Sequence, residues 1–171
     1  MLTPLGITGS AAVQSPRDGY IFFSACEASG GCGLYELLID GNGGVAANSL
    51  KKLANATVAP THIVADRHPV TGTTVLFSGD ETKNISVWEQ PAAGGVLKLV
   101  AKVSATKNEH YRVLNDNNRL VLNYLGATFL TEGSYTIAVS ASGAKLIAGA
   151  SKKLSSRGHG AEIVWLPAVN K

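Results

Sequence analysis

The sequence predicts an all-β fold, an array of about three units with four short antiparallel strands each. Three observations carry that prediction. Apolar runs rich in β-branched and aromatic residues are short and bounded by Gly, Pro, Asn and Asp, which suits strands and turns better than helices. A set of landmarks then recurs: Pro16 and Pro69, Phe23 and Phe77, Tyr35 and Trp88, and Glu36 and Glu89 stand 53 or 54 residues apart. Composition agrees, because 45% hydrophobic residues, 16% charged residues and 19 glycines in 171 positions describe a turn-rich folded chain.

Taken in order, the first unit spans about 7–58. Its cluster Ser15-Pro16-Arg17-Asp18-Gly19 precedes the strand Tyr20-Ile21-Phe22-Phe23-Ser24. Proline fixes φ and removes a donor, and glycine admits positive φ, so such a cluster punctuates the chain. A loop leads to Gly33-Leu34-Tyr35-Glu36. Asp40-Gly41-Asn42-Gly43-Gly44 then reads as a turn, with some flavour of a calcium loop but without the further carboxylates a calcium ion takes. The second unit, about 59–107, is the clearest. His62-Ile63-Val64-Ala65 closes on Asp66-Arg67-His68-Pro69 and Thr71-Gly72, and Thr73 to Phe77 ends at Ser78-Gly79-Asp80. Ile85 to Trp88 alternates with the period of a half-buried strand, and a fourth run follows from Val96 to Val103.

The third unit, about 108–153, is more divergent. It offers Tyr111 to Leu114, the turn Asn115-Asp116-Asn117-Asn118, Arg119 to Tyr124, Ser134 to Val139, the turn Ser142-Gly143, and Lys145 to Ala148. A period near 45–50 residues with four strands per unit is the signature of a propeller blade. The tail, 154–171, holds Ala161 to Pro167, which resembles the run Ile85 to Trp88. It reads as the opening of a fourth unit or as a strand that completes an edge.

The succession of Ser15-Pro16, Asp18-Gly19, an apolar strand ending Phe23-Ser24, an aromatic strand and Asp40-Gly41-Asn42-Gly43-Gly44 resembles the WD40-like (PD40) repeat of TolB-type β-propellers. Such repeats also form the propeller domains of prolyl-oligopeptidase-like peptidases. The resemblance covers roughly 7–150 and is best in the first two units. It implies a fold far better than a function. A repeat without any nucleophile–base signature reads as a non-catalytic, β-propeller-like binding or scaffold module that recognises a protein, peptide or glycan through loops at one end of a channel, with no cofactor and no metal expected. Cys26 and Cys32, the two cysteines, stand where the strands of one hairpin enter its loop. Given the resemblance to periplasmic propellers, a disulfide and a periplasmic or extracellular location are expected; two reduced thiols in a cytoplasmic protein are the alternative. Three units are too few to close a ring, which takes four to eight blades. A homodimer of two half-rings, a piece of a longer propeller, or closure as a sandwich or barrel each resolves the count.

Other functional classes find less support. The net charge is +3 and the lysines are scattered, so no basic stripe with interleaved aromatics points to nucleic acid. No apolar run approaches the roughly 20 residues of a membrane helix. Ser-x-x-Lys recurs at Ser49, Ser104 and Ser142 without its companion motifs, and no Gly-x-Ser-x-Gly elbow or phosphate-binding loop occurs.

One constellation suggests chemistry. His62, Asp66 and His68, with Val64, share a face if that strand stays extended, since side chains alternate with period 2. Along a propeller channel they would form a small-ligand or metal site, or the acid–base pair of a hydrolase or lyase. The structural reading has Asp66 capping a turn between two solvated histidines, and Asn115 in the corresponding place of the third unit favours it. Glu36 and Glu89 invite a glycosidase reading. Their recurrence at one repeat position is better explained as the outward polar phase of an amphipathic strand.

Overall fold

The computed structural model describes residues 8–17, 19–79, 83–92, 94–106, 108–126 and 133–155, so the run 161–167 lies outside the described residues. Among them there are thirteen strands and no helix. The first sheet is β1 (Thr8–Gln14), β2 (Tyr20–Cys26), β3 (Cys32–Leu38) and β4 (Lys51–Ala56). The second is β5 (His62–Arg67), β6 (Thr74–Gly79), β7 (Asn84–Gln90) and β8 (Lys98–Ser104). The third is β9 (Asn108–Asp116), β10 (Arg119–Gly126), β11 (Gly133–Ser142), β12 (Lys145–Ala148) and β13 (Lys152–Lys153). Each is an antiparallel meander in chain order, and β12 and β13 pair with successive stretches of β11. The expected all-β array of three blade-like sheets is therefore present, and it does not close into a barrel.

The sheets stack face to face because the second carries an apolar side toward each of its neighbours. Phe22, Leu34 and Leu53 of the first sheet meet Ile63, Leu76 and Leu97 of the second. From the opposite side of the second sheet, Val75, Phe77, Ile85, Val87 and Val103 pack against Leu120, Leu122, Tyr124, Tyr135, Ile137 and Val139 of the third. Fully burying one such side chain stabilises the fold by about 1.5–3 kcal/mol, so these two interfaces hold the array together. The first strands lie side by side, β1 against β5 and β5 against β9. A third cluster, Phe23, Ala25, Tyr35 and Leu37, lies on the face of the first sheet turned away from the second and is buried as well.

Pairing register shows that one landmark was matched out of phase. Phe22 pairs with Glu36, and Val75 pairs with Glu89, so the structural offset between the first two sheets is 53 residues. Pro16, Tyr35 and Glu36 keep that offset with Pro69, Trp88 and Glu89. Phe23 and Phe77, at 54, do not: Phe23 faces away from the next sheet and Phe77 faces toward it. A one-residue slip moves a side chain to the other face.

Candidate functional site

Meander topology gathers the turns at two ends. The β1–β2, β5–β6 and β9–β10 turns meet at one end, called here the upper; the β2–β3 and β6–β7 turns lie at the lower end. At the upper end the first strands are tied in series. Arg67 Nη2 donates to the carbonyl of Pro16 at 2.7 Å, and Asn115 Nδ2 donates to the carbonyl of Arg67 at 3.1 Å. Backbone from all three sheets is thus brought together beneath exposed Arg67 and Asn115 side chains.

The three residues singled out on β5 are not assembled into one site. His68 is 1% exposed, and its Nδ1 accepts the backbone N–H groups of Val70 and Thr71 at 3.1 and 3.2 Å. A ring nitrogen accepting two donors carries no proton, so the imidazole is held as the Nε2–H tautomer, with Nε2 buried and without a partner. His68, expected to be solvated, instead caps the turn that follows it, closed by His68 N to Thr73 O and Gly72 N to His68 O. Asp66 is half-buried and accepts the N–H of Arg67 at 2.6 Å. His62 lies at the other end of the strand, opposite Gly79, with its ring 5.5 Å from that of Tyr111. At ~3.3 Å per residue the two histidines are roughly 20 Å apart. Among the described residues no group of three or more His, Cys, Asp or Glu is placed to hold a metal ion. Asp40 Oδ1 takes the N–H groups of Asn42 and Gly44, as an aspartate in a turn does.

Glu36 corrects a second expectation. Its side chain points between the first two sheets and is 1% exposed, where the sequence suggested an outward polar phase. Arg17 Nη2 reaches Glu36 Oε1 at 2.6 Å while its guanidinium lies 3.7 Å over the Tyr20 ring. Gln90 Nε2 completes the group with a long contact to Glu36 Oε2 at 3.5 Å and a bond to the Gly95 carbonyl at 3.0 Å. Glu89 faces the third sheet and accepts from Thr73 Oγ1 at 2.8 Å. The second sheet therefore stands between the two carboxylates, and they do not face one another across a cleft.

The lower end carries the disulfide. Cys26 and Cys32 are directly opposite in register and joined, closing the Glu27–Gly31 loop. Glu27 accepts from Tyr35 OH at 2.7 Å, from Lys52 Nζ at 3.0 Å and from Ser29 Oγ at 3.3 Å. The Tyr35 and Lys52 hydrogen bonds hold the Glu27 carboxyl below the ordinary carboxylate range, and the Glu27 partner holds the Lys52 ammonium above its own. Burial, then the Glu27 bond, pushes the Tyr35 phenol up. A Cβ at Gly33 would overlap the Ala54 carbonyl and meet Lys52 Cε at 2.7 Å, so this glycine admits the close approach of β4 and the lysine stem that lies over it.

Between the second and third sheets, His62, Tyr111, Tyr124 and Tyr135 form a row with successive ring separations of 5.5, 6.2 and 5.3 Å, ended by Lys153 at 5.7 Å. Tyr111 OH bonds Asn108 Oδ1, and Tyr124 OH and Ser151 Oγ share a 2.5 Å bond. Sequence reasoning passed over Glu27, Lys52, Gln90 and Tyr111. The usable signal was Gly33 beside Cys32, since a glycine inside a strand marks a close approach. No family model, curated protein or solved structure matches the chain.

Proposed function

We propose that this chain is a non-catalytic binding or scaffold module, recognising a protein, peptide or glycan through the loops of its upper end. The observation that carries the reading is the serial tie of Pro16, Arg67 and Asn115, which sets loops from three sheets on one rigid support. Variable loops on a stiff scaffold are where binding residues concentrate. The resemblance to propeller repeats implies recognition through loops at one end of the channel. Arg67, Asp66 and Asn115 offer donors, an acceptor and both charges, a mixture suited to peptide amides and sugar hydroxyls.

The test is a glycan array and a peptide library probed with the wild type and with an Arg67→Ala/Asn115→Ala variant. A defined ligand set for the wild type, weakened at least tenfold in a variant that stays folded, is the expected result. Absence of any ligand, together with turnover in an activity screen that Asp66→Asn abolishes without lowering the melting temperature, would replace this reading with the hydrolase or lyase alternative.

A further inference from the structure

The lower end supports an inference independent of what the upper end binds. We propose that Cys26–Cys32 is a thiol-reducible latch that fixes Glu27 on Lys52 and Tyr35, and that opening it unmasks the Lys52 ammonium. Four observations combine. Both cysteines are only partly buried, and Ala28, Ser29 and Gly30 at the loop tip are exposed, so a dithiol can reach the bond. The cysteines lie beyond the last core residue of each strand, Ala25 and Leu34, so breaking the bond removes nothing from the packed interfaces. Glu27 directly follows Cys26, and its carboxylate bridges β3 and β4 through Tyr35 and Lys52. Finally the loop is rich in glycine, with Gly30 at φ +94°, and two backbone bonds, Glu27 N to Gly31 O and Gly30 N to Glu27 O, close it on itself. Glycine leaves such a segment many alternatives once a covalent tie is gone.

The chemistry is thiol–disulfide exchange with a small-molecule or protein dithiol. The reductant's thiolate attacks one sulfur, and the mixed disulfide is resolved by its second thiol. Two electrons and two protons pass to Cys26 and Cys32, leaving two thiols here and an oxidised, disulfide-bonded reductant. Glu27 is then free to leave Lys52, whose charge keeps only the Tyr35 ring, 5.6 Å away, beside it.

Dithiothreitol at neutral pH, with alkylation and mass spectrometry, tests the step on the whole chain. Both cysteines are expected to alkylate while the fold persists by circular dichroism. The backbone amides of Glu27 and Gly30, which donate the two bonds that close the loop, should exchange at least tenfold faster, and acylation of Lys52 by a succinimidyl ester should quicken several-fold. A Cys26→Ser/Cys32→Ser variant should behave like the reduced chain without reductant. If the cysteines resist alkylation until the chain unfolds, or if Lys52 acylates at one rate in both states, the latch is wrong. Neither result touches the reading of the upper end.

Discussion

Single atoms decide more here than surface charge does. A Cβ at Gly79 would overlap the Tyr111 hydroxyl and come within 2.5 Å of Asn108 Oδ1. Gly79→Ala should therefore cost about 3 kcal/mol in urea denaturation, as overpacking does, with Tyr111→Phe recovering part of it. Glu36 makes a comparable case: Glu36→Ala leaves Arg17 without its carboxylate in a partly buried position, for a loss of about 3 kcal/mol, and Glu36→Gln should lose less. Burial raises the Tyr124 phenol above its ordinary value. Its contribution is thus complete below the unfolded value near 10 and falls as pH rises through the folded value. Melting temperature should drop in that alkaline window alongside the growth of tyrosinate absorbance, and Tyr124→Phe should flatten the drop. His68 shows why such roles were hidden in the sequence. Nothing in the order Asp66-Arg67-His68-Pro69 says whether the ring turns outward to solvent or back onto the N–H groups of Val70 and Thr71.

At the scale of strands the sequence was more legible. The four runs of the central unit, His62–Ala65, Thr73–Phe77, Ile85–Trp88 and Val96–Val103, correspond to β5 to β8, with β8 starting at Lys98. Alternation and turn residues are local properties, and local properties survive folding. Face assignment is not local. The Phe-Ser pairs of the first two units sit on opposite faces because the offset differs by one residue from that of the surrounding landmarks. β1 and β4 gave weak signals, Thr8–Gln14 having small side chains and Lys51–Ala56 a polar start. The joint between β1 and the second sheet depends on Ser24, whose hydroxyl accepts the N–H of Ala11 and donates to the Pro60 carbonyl. Ser24→Ala should destabilise by about 2 kcal/mol and raise exchange at Ala11 in a hydrogen-exchange experiment.

For the molecule as a whole, the count of sheets still poses the question of assembly. Of the three resolutions of that count, we propose a ring completed by a second copy, and light scattering decides it: twice the chain mass is expected, and the mass of one chain overturns it. Against it weighs the burial of Phe23, at 6%, and Tyr35, at 3%, within a single chain. The disulfide fits an oxidising setting, and a location outside the cytoplasm stays a proposal. No described helix is long and apolar enough to cross a membrane. One last property follows from the aromatic row. The joint between the first two sheets contains Trp88, its indole N–H bonded to Ser78 Oγ at 2.8 Å, whereas the joint between the second and third is lined by tyrosines. With Trp165, Tyr20 and Tyr35 changed to Phe, indole emission and phenol ellipticity become gauges of the two joints, and whether their melting curves coincide reveals if this stack comes apart in one event or peels leaf by leaf.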